Sequence, residues 1–593
     1  MKTKHMVTSY SFAGILLLVC LFVVNTTFVG ATGIDNQTIG YEYETAIKKT
    51  IEDYFRWQYT AQKDGIAIAQ SLQPVALLTE AQTFLRSKQD YLEVMEYSYQ
   101  LNDVRILEQS FKLDFLKITS GEKGDLVTVE VAESYERMYK DALRPSYAQD
   151  IVHMFTLRKN GQMWEIIGDA YLNITDAPPV VFDKASLMEE IRQEADARRI
   201  FEQQAMLDAG ITPEFLSQQR ERLAKEGKDA QEIERQIGAM VDEIMNKTTE
   251  QSSTIVDPDS NLPKRNNNRT YNRGTAHSYI EAWWNGRNPV WGDFSNMGGD
   301  CTNYASQIIY AGIIPEDKGG SYQWYWDNMN PPRTSPPYSR SASWSGVAEQ
   351  WAYIQGNTNG NGPNGPQGQW WTDSNGRTYM QTGDVIQLKY SGTWFHTYIV
   401  HSAKWVNGRY QIKITSHQTN RYEDDLDAVA SSYPTRRYVH ILGWYNPNGY
   451  KRLVARHNGS NGRSLDVKGV STSNGATVQQ WDWVNGNNQK WDLVPADDGF
   501  YLLVAKHSGK CLDVSGASNN NGAPIIQWDC HGGTNQQWKL VPVGSSYNKI
   551  VSRKSGKCLD VKDRLTGNGV IMQQWDCPGN GGYNQQWKII TIP

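Results

Sequence analysis

Gly298-Gly299-Asp300-Cys301-Thr302-Asn303-Tyr304-Ala305-Ser306-Gln307 places a cysteine where a glycine-rich turn runs into a helix. Tyr304, Ala305 and Ile308 recur at helical spacing after Cys301, and Gly312 stands at the expected end. A thiol in the first helical turn lies beside unpaired backbone N–H groups and the positive end of the macrodipole. Both favour the thiolate. The competing reading, an inert buried thiol, is equally open from this stretch alone.

The other cysteines narrow the choice. The N-terminus reads as an export signal over 1–31: Lys2 and Lys4, an apolar run from Phe12 to Val24, then Val29-Gly30-Ala31 as the cleavage site. The run is short of a membrane span, so no stable anchor is expected after cleavage. Cys20 leaves with the signal. Cys511 and Cys530 are 19 apart, as are Cys558 and Cys577, and equal spacing in an exported chain points to two local disulfides. Cys301 is then the odd thiol in an oxidising compartment, which favours a reactive role or pairing between chains.

A chain of 593 residues exceeds one core and implies about three or four domains. A net charge of −5 gives no reason to expect a nucleic-acid partner. Much of the tryptophan, tyrosine and glycine lies after about residue 270, which divides the chain into two compositions.

Residues 34–180 read as an α+β accessory domain. Tyr41 to Gln62 has the pattern of an amphipathic helix, Val127, Val129 and Val131 alternate as in a strand, and Asn160-Gly161 is a hairpin turn between two more strands. This element order is similar to nuclear-transport-factor-like cone folds. His153 falls within a strand pattern and reads as structural. Residues 183–247 are charged and helical, with Thr212-Pro213 a helix start and Ile233, Ile237, Val241 and Ile244 one apolar face. A helical hairpin or stalk is expected there, followed by a linker over 248–270.

Residues 271–447 contain Cys301. Gly383-Asp384-Val385-Ile386 opens a strand, Trp394 to Val400 forms a second, and Tyr410 to Thr415 a third that ends in Ser416-His417-Gln418-Thr419-Asn420. A thiol-bearing helix followed by an antiparallel sheet bearing a histidine is the order expected of papain-like cysteine hydrolases. Tyr271-Asn272-Arg273 with Ala276, the Cys301 block, Phe395-His396-Thr397-Tyr398-Ile399-Val400, Ser416-His417-Gln418-Thr419 and Tyr438-Val439-His440-Ile441 together resemble a bacterial putative-amidase domain family with a papain-like fold. The resemblance covers roughly 268–446 and implies hydrolysis of an amide bond.

The thiolate needs a base, and the base needs a third polar group to orient it. His277 and His440 read as structural. His396 and His401 are five apart and fall on opposite faces of a regular strand, so only one can face the helix. His396 matches the family position and is the expected base. A histidine at the position of His417 occurs in related cell-wall peptidases and makes it the expected third member, with Asn420 as the alternative. The oxyanion donors are expected to be the Cys301 N–H with Ser295 or Asn296. No H-E-x-x-H pattern or cysteine pair at ligand spacing is present, so no metal and no cofactor are expected. The proline- and glycine-rich stretch 330–376 reads as a loop beside the cleft, with Trp370 and Trp371 either stacking on sugar or covering core.

Residues 448–593 are a threefold repeat. Leu465-Asp466-Val467, Leu512-Asp513-Val514 and Leu559-Asp560-Val561 recur at intervals of 47, as do Trp481, Trp528 and Trp575. Gln489-Lys490-Trp491, Gln536-Gln537-Trp538 and Gln585-Gln586-Trp587 close the units. The repeat resembles the ricin-type β-trefoil lectin with its Q-x-W motifs. The resemblance implies core tryptophans at 491, 538 and 587 and sugar sites elsewhere. These are Asp466, Gln479, Trp481, Asn488 and Gln489 in the first unit, Asp513, Trp528, Asn535 and Gln536 in the second, and Asp560, Gln573, Trp575, Asn584 and Gln585 in the third. Ile526 replaces the first glutamine of the second set. Ser464 and Trp483 replace the cysteines of the first unit, which predicts a looser loop there.

These readings join into a secreted, multi-domain, cysteine-dependent amide hydrolase carried on glycan, with peptidoglycan the expected partner. The alternatives are a glycan-targeted protease or transpeptidase, and a carbohydrate-binding protein without catalysis.

Overall fold

The computed structural model describes residues 41–592 apart from 122, 143, 172–181, 253–268, 290, 292, 295–299, 313, 316, 318–322, 327–339, 358–364, 373, 418, 445–448, 460–461, 497–498, 545 and 579–581. The expected signal segment with Cys20, the turn Gly298-Gly299, the oxyanion candidates Ser295 and Asn296, and most of the expected linker lie outside the described residues.

Helices α1 (Tyr41–Asp64), α2 (Ile66–Ala69) and α3 (Thr79–Leu101) precede strands β1 (Ile106–Ser120), β2 (Leu126–Tyr139), β3 (Ser146–Asn160) and β4 (Met163–Tyr171). Helices α4 (Lys184–Asp208), α5 (Pro213–Lys225) and α6 (Ala230–Ser252) follow. Then come β5 (Arg269–Thr270), α7 (Arg273–Trp283), α8 (Cys301–Ala311), α9 (Ala342–Ser345), α10 (Val347–Gly356), β6 (Gln367–Trp371), β7 (Val385–Tyr390), β8 (Thr393–Val406), β9 (Arg409–Ser416), β10 (Asn420–Asp425), α11 (Leu426–Val429) and β11 (Arg436–Trp444).

The long apolar stripe of α1, with Ile47, Ile51, Tyr54 and Phe55 buried, and the alternation of Val127, Val129 and Val131 make the N-terminal core. Gly161 takes φ +60° in the β3–β4 turn, a conformation that a Cβ opposes. His153 is enclosed in this core, its Nδ1 2.9 Å from Asp169 Oδ1 and its Nε2 3.0 Å from Glu133 Oε2.

One sheet crosses the expected domain boundary. Its order is β1-β2-β3-β10-β9-β8-β7-β11-β5, with β4 also on β3 and β6 also on β11. The junction is the antiparallel pairing of Asn420, Arg421 and Tyr422 with Gln149, Ala148 and Tyr147. Asp424 lies buried at this seam and accepts hydrogen bonds from Tyr135 (2.6 Å), Tyr139 (2.9 Å) and Arg421 (2.7 Å).

The helices after residue 183 do not form a free stalk. Thr212 Oγ1 caps α5 by accepting from the Phe215 N–H at 3.1 Å, as the Thr-Pro pair predicts. Ile237, Val241 and Met245 of α6, however, pack with Ile386, Leu388, Tyr398, Val400, Ile412 and Ile414 on one face of the sheet. Burial of the apolar stripe decides against projection into solvent. The opposite face carries α8, where Tyr304, Ile308 and Ile309 meet Val385, Ile399, Val439 and Ile441. Trp370 and Trp371 are not loop residues: they end β6, pair with Val439 and Tyr438, and pack against the two cores.

The C-terminal region is a twelve-stranded all-β unit. Trp491, Trp538 and Trp587 are fully buried, and each indole N–H donates to a main-chain carbonyl, of Leu465, Leu512 and Leu559, at 3.0, 3.0 and 3.1 Å. Cys511–Cys530 and Cys558–Cys577 are disulfide-bonded. In the first unit Arg452 does the cysteines' work: its Nε donates to Ser464 Oγ at 2.7 Å and its guanidinium lies 4.8 Å from the Trp483 ring centre. That loop is closed by an arginine bridge where looseness was expected. Asn272 Nδ2 donates to the Gly509 carbonyl at 3.0 Å and Arg269 pairs with Asp492, so this unit is fastened to the strand and helix that precede Cys301.

Candidate functional site

Cys301 is the first residue of α8, is buried, and is the free cysteine among the described residues. Its neighbours are Thr302, whose hydroxyl lies 3.8 Å from Sγ, and the backbone of Thr397 on β8. Burial pushes the Cys301 thiol up, against hydrogen bonds from the Thr397 backbone and Thr302 that pull it down. The resting thiol is therefore protonated, the reverse of what its helix position alone predicts.

Asp300, fully buried one residue before the thiol, is the polar centre of the site. Its Oδ1 accepts from Asn303 Nδ2 at 2.7 Å and from the Phe294 N–H at 3.2 Å. Its Oδ2 lies 3.0 Å from Arg287 Nε and 2.9 Å from His417 Nδ1. The His417 ring stacks on Tyr304, centroids 3.5 Å apart and planes 9° from parallel, and its Nε2 lies 2.8 Å from the Trp283 carbonyl at the end of α7. Burial pulls the His417 pKa down, and the Asp300 carboxylate opposes it. His417 thus belongs to the N-terminal turn of α8 and is not hydrogen-bonded to His396.

His396 and His401 do occupy opposite faces of β8, but the faces are exchanged relative to expectation. His396 pairs across from Leu388, and its ring lies 4.4 Å from that of Tyr398, both on the face covered by α6. Thr397 points the other way, its Oγ1 2.9 Å from Thr302 Oγ1. Strand alternation therefore turns His396 away from the helix that carries the thiol. No hydrogen bond joins Cys301 Sγ to an imidazole among the described residues. Asn420, the alternative third member, accepts from Arg287 Nη1 at 2.9 Å and donates to Asp150 Oδ2 at 2.8 Å. Sequence reading missed Asp300, Arg287, Thr302 and Thr397. Asp300 stands in the block beside Cys301, and its adjacency was the available signal.

His440 is structural: its Nδ1 lies 2.7 Å from Asp384 Oδ2, which Arg273 also engages through Oδ1 at 2.8 Å.

On the trefoil, Trp481, Trp528 and Trp575 are 40 %, 42 % and 45 % exposed, each at a strand end and free to offer a ring face. The aspartates beneath them are buried. Asp466 accepts from Gln479 and Asn488 at 2.9 and 2.8 Å, and Asp560 accepts from Gln573, Asn584 and Gln585 at 2.9, 2.7 and 2.9 Å. Asp513 accepts from Asn535 and Gln536 at 2.9 and 2.8 Å, with Ile526 where a third donor stands in the other units. Gln489 also donates to the Asp482 carbonyl and accepts from the Val484 N–H. Burial raises the Asp466 and Asp560 pKa values, opposed by these amide donors.

Residues 270–441 match the family described as a putative amidase domain, and residues 439–528 and 534–593 match the ricin-type beta-trefoil lectin domain-like family. No curated protein matches the chain. Similar solved structures include the designed 3-fold symmetric protein ThreeFoil (49 % identity, 24 % of this chain and 99 % of that one, TM-score 0.23). An exo-β-1,3-galactanase from Clostridium thermocellum is 27 % identical over 37 % of this chain and 47 % of its own, TM-score 0.25, so the match spans about half its length. The C-half of an earthworm R-type lectin, solved in complex with GalNAc, is 20 % identical over 24 % and 97 %, TM-score 0.19. The chain joins a domain of the putative-amidase family, which contains Cys301, to a ricin-type β-trefoil lectin-like domain.

Proposed function

We propose that the protein is an exported cysteine amidase held on glycan by its trefoil, with a peptide amide of peptidoglycan as substrate and a papain-like arrangement of helix and sheet as its catalytic frame. The observation that carries this reading is the position of Cys301: a lone thiol at the start of a helix, inside the stretch that matches the amidase family. The Cys301 thiolate attacks the carbonyl carbon. The tetrahedral adduct collapses to a thioester as the C–N bond breaks and the amine leaves with a proton. Water then cleaves the thioester to a carboxylic acid and regenerates the thiol. Because burial holds the thiol protonated, a base has to act at the moment of attack.

His417 is the imidazole best supported as that base. It shares the N-terminal turn of α8 with the nucleophile, and Asp300 fixes its Nδ1 as a third member fixes a catalytic imidazole. Its Nε2 would exchange the Trp283 carbonyl for the thiol or leaving amine. The second reading keeps His396, the family position, because its neighbour Thr397 touches the thiol through its backbone. The α1–β4 module is an accessory unit, with a cone-like element order.

The test is amine release from peptidoglycan together with the rate of Cys301 alkylation by iodoacetamide against pH. Cys301→Ala abolishes release and leaves glycan binding intact; unchanged release refutes the nucleophile. His417→Ala slows alkylation at neutral pH if His417 is the base, and His396→Ala does so if the second reading is right. Mass spectrometry of the digest distinguishes a peptidoglycan amidase from a glycan-targeted protease.

A further inference from the structure

Among the described residues, a cluster on α7 and β8 groups its side chains at metal-ligand spacing apart from Cys301. His277 and Glu281 are four apart on α7 and share a helix face, Nε2 and Oε1 3.5 Å apart. The bulge in the β8–β9 ladder between Val400 and Ser402 turns His401 toward them, and its Nε2 lies 2.8 Å from the same Oε1. All three candidate ligand atoms lie within 4.8 Å of one another. Behind them stands a second layer. Glu423 Oε1 is 3.2 Å from His401 Nδ1, and Tyr422 donates to both Glu281 oxygens at 2.9 Å. Glu423 reaches this place through a left-handed backbone, φ +52°, in the bulge of β10, a strained conformation for a residue with a side chain.

We propose that His277, Glu281 and His401 form a binding site for a divalent transition metal of the zinc class, with a fourth position open to solvent. The donor set is two imidazoles and a carboxylate, which suits such ions and not calcium or magnesium. Tetrahedral ligands at zinc bond lengths stand about 3.4 Å from one another, close to the spacing of the His277 and Glu281 atoms. The exposures fit an entry path: His401 is 1 % exposed, while His277 and Glu281 are 44 % and 37 %. A carboxylate behind a ligating imidazole is the usual device for orienting it, and Glu423, 3.2 Å from His401 Nδ1, stands where it could serve once an ion is bound.

Occupancy would tie α7 to β8 and β10. Two residues beyond Glu281, the Trp283 carbonyl meets His417, so the ion would also steady that imidazole. The inference does not depend on the role given to Cys301. Sequence reading passed over the site because His277-x-x-x-Glu281 is not a zincin motif and His401 lies 120 residues beyond Glu281.

The test uses the full chain stripped with chelator, then titrated with Zn²⁺ by calorimetry and with Co²⁺ by visible absorption. The expected result is one ion per chain, with cobalt bands of a low-coordinate N/O site. Glu423→Gln, which leaves all three ligands in place, weakens binding ~10–100-fold. His277→Ala changes a partly exposed residue and abolishes the cobalt bands while the circular dichroism stays unchanged. Absence of binding at micromolar Zn²⁺ overturns the proposal. So does binding that survives in the His277→Ala, Glu281→Gln double variant.

Discussion

Thr302 Oγ1 and Thr397 Oγ1 lie 2.9 Å apart, both buried, and this contact fixes which face of β8 looks at the helix that begins with Cys301. Replacing the Thr302 hydroxyl leaves Thr397 Oγ1 with only the longer 3.4 Å contact from Gln387 Nε2. Thr302→Val is expected to lose about 1–3 kcal/mol of stability. Thr302→Val/Thr397→Val should recover part of it, as read from a double-mutant cycle in urea. Additive losses would show that the two hydroxyls do not act as a pair.

His153 gives the N-terminal module a pH dependence. Burial opposes its charge, but Asp169 and Glu133 outweigh burial and hold its pKa at about 9, above the ordinary 6.5. A group raised on folding contributes stability that is fully present below about pH 6.5 and is lost as pH rises through about 9. The expected contribution is roughly 3 kcal/mol. Urea midpoints measured from pH 6 to 10 should fall across that window in the native chain. His153→Gln should flatten the decline.

Asp424 neutralises Arg421 at the seam between β3 and β10. Asp424→Asn leaves a buried guanidinium without its counter-charge, and the expected loss is about 3–5 kcal/mol. Hydrogen exchange is the direct measurement: Gln149, Ala148 and Tyr147 should lose protection together with Asn420 to Tyr422. Loss on one side only would mean that the two halves of the sheet unfold separately.

Two tryptophans of the third trefoil unit should behave oppositely. Trp575, 45 % exposed, is a binding candidate, so Trp575→Ala is expected to weaken glycan binding at that unit about tenfold, ~1.4 kcal/mol, with stability unchanged. Trp587 is fully buried and hydrogen-bonded, so Trp587→Ala should destabilise the trefoil by about 3–5 kcal/mol. Isothermal titration with a glycan that the native chain binds, paired with thermal unfolding, separates the two.

Much of the fold is legible along the chain because local rules govern it. Thr212-Pro213 opens a helix, Asn160-Gly161 turns a hairpin, and the threefold Q-x-W motif sets three equivalent core tryptophans. Which face of β8 meets α8 is not legible in the strand itself, because it is decided by packing partners distant in the chain. Alternation correctly separates His396 from His401 and cannot say which one meets the helices, since each side of the sheet is apolar and covered. The β3–β10 pairing is equally hidden. It joins edges about 270 residues apart, and nothing in the composition of either strand names its partner.

The arginine bridge of the first trefoil unit has a consequence under reducing conditions. A reductant opens two of the three loops, at Cys511–Cys530 and Cys558–Cys577, and finds no bond to cleave between Ser464 and Trp483. The first loop is held by a hydrogen bond and a ring contact, which a reductant does not touch. The trefoil therefore carries two unlike fastenings, and a reductant alone leaves one of its three loops closed.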